Sequence, residues 1–228
     1  MKKRAVVLSL GGSLIIPDEV DITYLRKFRE VIKNSIKNYK FVIVCGGGSV
    51  ARKYIAALRE EHKSEYLQSL AGISVTRLNA RFMAYFFGED PNWGIPHDMK
   101  DISNLLKKHD IIFCGALRYA PNQTSDATAC RLAAFLKSDF INLTNIKGLY
   151  TKNPKEHKDA KFIPEISREG FAEIVNAIPQ KPGMHAPVDH TAMKTILKHK
   201  LRVYIIGKDA RQLDNLLKGK KFIGTRIE

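Results

Sequence analysis

The chain has 228 residues, 44% of them hydrophobic, which is enough to bury the core of one α/β domain and too apolar for a disordered chain. Its 38 Lys and Arg against 23 Asp and Glu leave a formal charge of +15, which suits an anionic partner or a lysine-rich thermophile; the basic residues are scattered, with no arginine-rich block of the kind nucleic-acid modules show. The three cysteines, Cys45, Cys114 and Cys130, lie far apart without a C-x-x-C pair, which disfavours a disulfide framework or a zinc site and points to a cytoplasmic protein, and no apolar run approaches the roughly 20 residues of a membrane helix.

The start, "MKKRAVVLSLGG", imitates a signal peptide, but its apolar run covers only Ala5 to Leu10 and meets two glycines without a cleavage pattern, so it predicts a first strand. Further short apolar runs follow in "FVIVC", "DIIFC", "FINLT" and "RVYIIG"; continuous rather than alternating apolarity marks strands buried on both faces, hence a mainly parallel sheet. Helical periodicity fills the intervals: 22–37, 49–61, 64–87, 99–108, 126–137, 168–177, 188–199 and 210–218. The end, "KFIGTRIE", predicts a closing strand or hairpin. The charged, proline-bearing stretch Thr151 to Lys161 is the candidate boundary between an N-terminal lobe, about 1–145, and a C-terminal lobe, about 146–228, of a single domain.

Glycines stand directly after three of these strands: "LGGS" at Leu10 to Ser13, "GGGS" at Gly46 to Ser49, and Gly115 with Ala116. In an open α/β sheet the carboxyl ends of the strands form the ligand crevice, where glycine lets backbone N–H groups approach a phosphate. The bland alternative is three tight turns. A helix beginning after Gly48 would aim its positive end at the same anion, with Arg52 one turn further on. No G-x-x-x-x-G-K-[ST], G-x-G-x-x-G, H-E-x-x-H or G-x-S-x-G occurs, which disfavours P-loop, dinucleotide, zinc-peptidase and α/β-hydrolase chemistry, and the seven histidines are scattered.

In "NQTSDATACRLAAFLK", Thr124 or Ser125 can cap a helix whose first turn holds Asp126; the residue is either a helix-dipole partner or an acid facing the crevice. "LTNIKGLYTKNP" puts Thr144, Asn145 and Tyr150 at the end of the next strand, where a nucleobase and ribose could sit. Lys194 in "VDHTAMKTILKHK" points either into the crevice or into solvent.

Taken in order, "LGGS", "GGGSVARKY", "AGISVTRLNA", "TSDATACRLAAFL", "LTNIKGLYTKNP", "DHTAMK" and the final "GTRIE" resemble the amino-acid kinase superfamily, and within it the archaeal type of uridylate kinase, over nearly the whole chain. The resemblance implies a three-layer α/β/α sandwich. It implies a kinase that uses ATP with Mg²⁺ as donor and UMP as acceptor in pyrimidine nucleotide synthesis, with no metal held by the protein alone, assembled as a homohexamer. Carried over by position, Ser9, Leu10, Gly11, Gly12 and Ser13 would line the ATP phosphates with Gly48 and Arg52. Thr144, Asn145, Tyr150 and Asn153 would form the adenosine side. Gly47, Ser69, Gly72, Asn122, Gln123 and Thr124 would face UMP. Asp126 would organise the site and hold Lys194, which would stabilise charge on the transferred group; phosphoryl transfer needs little beyond such positioning and neutralisation.

The chain departs from that pattern at four positions. Ser9 replaces a lysine, Ser69 the ribose-binding aspartate, and Lys147 and Asn153 two further aspartates; the loop "ALRYAPNQ" is about two residues longer than usual. These changes keep two alternatives open: a related small-molecule kinase such as isopentenyl phosphate kinase, and a non-catalytic nucleotide-binding protein.

Overall fold

The computed structural model describes residues 3–89, 94–120, 124–154, 156–177 and 188–228. Strand β1 (Arg4–Leu10) is followed by a one-turn helix α1 (Gly12–Ile15), then α2 (Ile22–Ser35), β2 (Tyr39–Cys45), α3 (Gly48–Glu60), α4 (Glu65–Phe87), α5 (Met99–Lys108) and β3 (Ile111–Cys114). The chain continues through α6 (Ser125–Leu136), β4 (Asp139–Leu143), a small β5 (Leu149–Tyr150) and β6 (Phe162–Ile163), then β7 (Glu165–Ile166), α7 (Arg168–Ala177), α8 (His190–His199), β8 (Val203–Ile206), α9 (Ala210–Leu217) and β9 (Thr225–Ile227).

One sheet runs β3-β2-β1-β4-β8-β9-β7. Its pairings are parallel except that of β8 with β9, so the final segment does form a closing strand, turned back against its neighbour. The separate antiparallel pair β5–β6 brackets the stretch expected to be a lobe boundary, one strand on either side of it. Neither this hairpin nor β7 is predicted by the sequence patterning, because two-residue strands carry no apolar period.

Side-chain alternation along β1 divides the core into two. Val7 packs with Val42, Val44 and the apolar faces of α5, α6, α7 and α8, whereas Leu8 and Leu10 pack on the opposite side with Ile43, Cys45 and residues of α1, α2, α4 and α9. The result is the expected three-layer sandwich with a mainly parallel central sheet. Helix α3 stands apart: it buries only Gly48, Ser49 and Ala51, and it packs on α4 rather than on the sheet.

Helix starts are fixed by side-chain caps, which satisfy otherwise orphaned N–H groups. Asp21 accepts from Tyr24 N, Asp98 from Asp101 N, Thr124 from Ala127 N, and Asp189 from Thr191 N and Ala192 N. The last of these moves the start of the C-terminal basic helix from the expected Val188 to His190.

Candidate active site

At the carboxyl ends of β1, β2 and β4 the backbone is drawn together by two hydrogen bonds. Gly11 N donates to Leu143 O at 3.1 Å, and Gly46 N donates to Leu10 O at 2.9 Å. The glycine turns after β1 and β2 therefore lie back to back. A Cβ on Gly12 would fall 2.6 Å from the Gly48 Cα, and one on Gly46 would fall 2.5 Å from the Gly12 N. Gly48 opens α3 at φ +66°, a left-handed conformation that glycine adopts without strain. Asn79 of α4 seals the junction by donating from Nδ2 to Gly46 O at 2.7 Å.

The bare backbone at these two turns is thus required first by the turns themselves. What it leaves outside is the amino-terminal end of α3, at Gly47, and the short helix carrying Ser13, which is half-buried. The third glycine behaves differently. A Cβ on Gly115 would meet Thr76 Oγ1, Thr76 C and Arg77 N of α4 at 2.6 Å, and the next amide, Ala116 N, donates to Thr76 Oγ1. Gly115 serves close packing on α4 and is not a third open phosphate turn, which corrects the expectation of three equivalent turns.

Ser9, expected to line the donor phosphates, turns its side chain to the acid of α6. It has no solvent exposure, and its hydroxyl donates to Asp126 Oδ1 at 2.6 Å. It lies level with Asn142 on the adjacent β4, and Asn142 makes a second side-chain hydrogen bond to Asp126. Leu10 is likewise enclosed, its side chain in the core against α1 and α2. Ser9 and Asn142 form a polar floor under the half-buried Asp126 at the start of α6. Burial pushes the Asp126 carboxyl up to about 6, and the nearby negative charge of Asp189 adds to this, while the hydrogen bonds from Ser9 and Asn142 oppose it.

Lys194 is exposed on α8, and among the described residues it forms no ion pair with Asp126. The link between their helices is another acid. Asp189 caps α8 with one carboxylate oxygen and accepts the Thr124 hydroxyl with the other, while Thr124 caps α6. The amino-terminal ends of α6 and α8 are thereby tied together. Asn142, Asp189, Thr76 and Asn79 are missed by the sequence reading; the signals were an amide interrupting an apolar strand and an aspartate in capping position before "HTAMK".

Gly47, Ser69, Gly72 and Thr124 come together as expected, lining one cleft of about 250 Å³ between α3, α4 and the start of α6. Asn122 and Gln123, expected beside them, lie outside the described residues. Arg52 is one turn into α3 and exposed. Thr144 follows β4, its N–H donating to Ile206 O at 2.9 Å, with Asn145 exposed beside it. Tyr150 on β5 packs edge-on against Phe162, and Asn153, in the turn beyond, donates to Glu156 Oε1 at 2.7 Å.

The arrangement has known counterparts. A curated uridylate kinase from Thermococcus kodakarensis is 32% identical over 225 residues, covering 98% of this chain and 99% of its own length. The crystal structure of uridylate kinase from Archaeoglobus fulgidus superposes with a TM-score of 0.84 at 33% identity, covering 98% of this chain and 99% of that one. The X-ray structure of an isopentenyl phosphate kinase, at 18% identity and TM-score 0.70 over 98% of this chain and the whole of that one, shares the fold. The family model for amino acid kinases matches residues 4–207, from the first residue of β1 to the glycine after β8, and so takes in both glycine turns, the acid on α6 and the capped α8: the chain belongs to the amino acid kinase family.

Proposed function

We propose that the protein transfers the γ-phosphoryl group of ATP to UMP, giving UDP for pyrimidine nucleotide synthesis. The observation that carries this reading is the cleft in which Gly47, Ser69, Gly72 and Thr124 converge, beside the amino-terminal ends of α3 and α6. Two helix ends and a glycine backbone favour a phosphate there. Full-length relatives more than 30% identical to this chain bear the name uridylate kinase.

In this reading a single domain divides its labour. The N-terminal part (about 1–145) receives UMP; the C-terminal part (about 146–228) receives ATP, with Thr144 and Asn145 at the junction and Tyr150 and Asn153 beyond it. The backbone at Gly11, Gly12, Ser13 and Gly48, with Arg52, faces the phosphates being exchanged. Asp126 orients the metal-bearing nucleotide, and Lys194 meets charge developing on the transferred group. Magnesium arrives on the ATP phosphates and lowers their charge. Asp126 would meet the metal through its water shell.

The proposed setting is the cytoplasm, whose reducing thiol pool suits three free buried cysteines. The proposed assembly is a homohexamer. Tyr54 of α3 and Leu67, Leu78 and Tyr85 of α4 are apolar side chains left on the outer surface of these helices, at 57%, 45%, 61% and 54% exposure, and self-association would cover them. Light scattering giving the monomer mass at micromolar concentration would reject that assembly. The activity is tested by a coupled assay with Mg-ATP: ADP release is expected to depend on UMP, and release no faster with UMP than without it would reject the reading.

A further inference from the structure

The loop that follows β3 leads into the proposed acceptor cleft. Among the described residues that line the cleft, Arg118 is the one charged side chain and Tyr119 the one aromatic; no carboxylate lines it. Ala51, Ile55 and Ile73 supply apolar wall.

The root of the loop is held firmly to α4. Ala116 N donates to Thr76 Oγ1 at 2.9 Å, and the Arg77 guanidinium donates to Ala116 O at 3.2 Å and to Leu117 O. Arg118 faces Asp98 at 3.5 Å. Tyr119 then stands edge-to-face against Tyr66 of α4, with ring centroids 4.8 Å apart and planes at 88°. Both rings remain open to solvent, at 38% and 50%, so this pair is no part of the core. A T-shaped contact occupies at most one face of Tyr119 and fixes the ring's direction.

Resting on the UMP kinase reading above, we propose that Tyr119, steadied edge-to-face by Tyr66, is the platform on which the acceptor's nucleobase stacks. The cleft offers the ribose only the neutral Ser69 hydroxyl at the position where a carboxylate would grip it, so acceptor affinity in this chain comes from the two ends of the nucleotide, phosphate on helix ends and base on Tyr119. Aromatic stacking of a base is sufficient for that share of affinity and depends little on which base it is.

The test uses the full-length protein and two measurements: steady-state kinetics with Mg-ATP, and UMP binding by calorimetry without ATP. Tyr119→Ala is expected to raise the UMP KM and the UMP Kd about 5- to 100-fold, the loss for one stacked base, with the ATP KM much less affected. Tyr119→Phe, which keeps the ring, should recover to within about threefold of the parent, a rescue that loss of bulk alone would not give. Tyr66→Ala, which releases the brace, should fall between the two. Since both rings are exposed, thermal melting of each variant should match the parent. A Tyr119→Ala variant with unchanged UMP KM and Kd, or a phenylalanine variant no better than the alanine one, overturns the platform while the UMP reading stands. If the parent binds UMP and the alanine variant binds it more weakly, yet neither turns it over, the platform stands and the kinase reading falls. If the parent neither binds nor phosphorylates UMP, both are wrong.

Discussion

Ser9 and Asp126 lie 117 residues apart in sequence and meet at 2.6 Å, the hydroxyl of a wholly enclosed strand residue donating to the acid at the start of α6. The acid is thereby supported by neutral groups, Ser9 and Asn142, rather than by a cation, and burial raises it to about 6. A carboxyl held this way carries charge at neutral pH only at some cost to the fold.

Replacing Asp126 with Asn should separate stability from activity. The folded-state value of about 6 lies above the ordinary 3.8, so between those values the folded protein binds more protons than the unfolded chain, and stability falls as pH rises through that window. Above it the charged acid costs about 1–3 kcal/mol. Asp126→Asn is expected to melt higher than the parent at pH 8, to match it near pH 4, and to lose most of its kcat at pH 8, where the parent's acid is charged. Equal melting temperatures at pH 8, or full activity, would return Asp126 to the role of a helix-dipole partner.

Ser9→Ala removes one of the two hydrogen bonds that favour the charged acid, so the Asp126 carboxyl should move above its present value. The acid limb of the kcat profile is expected to shift to higher pH, with activity at pH 8.5 least affected. The stability change should be small, about 1 kcal/mol or less at neutral pH, because the lost hydrogen bond is offset by an acid that ionises less. An unshifted acid limb would mean that another group sets it.

Gly12→Ala tests the contact between the two glycine turns. The new methyl would overlap the backbone at Gly48 and Gly46, where no flexible side chain can move aside. Loss of more than about 2 kcal/mol of stability is expected, in the range of overpacked sites, with activity lost even at temperatures where the variant remains folded. Gly88→Ala is the control: its φ of +80° strains an alanine, yet nothing lies within 4 Å of the added methyl, so about 1 kcal/mol is expected with activity intact.

Arg52→Ala should leave the fold untouched, because the side chain is exposed on α3 and alanine is the better helix former. Loss of a charge-assisted phosphate contact is worth about 1.5–3 kcal/mol, so KM for a substrate whose phosphate it grips should rise about 10- to 100-fold. Unchanged KM for both ATP and UMP would place Arg52 on a solvated face.

Much of this site was legible from order along the chain. The apolar runs became the central strands, and "TSD" became a capped helix start with its acid at the rim. What each glycine faces was not legible, since Gly12 and Gly46 are bare for each other's sake across 34 positions, and Gly115 is bare for α4. A strand serine reads in sequence as one more element of a phosphate loop; only the register with Asn142 and the fold of α6 over it show that Ser9 supports Asp126 from beneath. The link through Asp189 was hidden for the same reason. A cap signal is local, whereas the second oxygen of that carboxylate reaches Thr124, 65 residues away.

Ser69 marks the place where this chain departs most from the pattern it resembles, and it stands in the wall of the cleft proposed to receive UMP, with Gly72 one turn further along α4. A serine hydroxyl holds the two ribose hydroxyls less strongly than a carboxylate, since hydrogen bonds to a charged acceptor are roughly twice as strong as neutral ones. UMP should therefore be preferred only weakly over dUMP, by less than about tenfold in kcat/KM. Ser69→Asp restores the charged acceptor on an accessible helix face, where its addition needs no repacking of the core. Among the described residues lining the cleft the one charged side chain, Arg118, is a cation, so the new carboxylate meets no like charge among them. The variant is expected to widen the UMP-to-dUMP ratio by a further factor of about ten, through a lower UMP KM. A ratio that is already large in the parent, or one that Ser69→Asp leaves unmoved, would show that the ribose is held elsewhere and that Ser69 is only part of the wall.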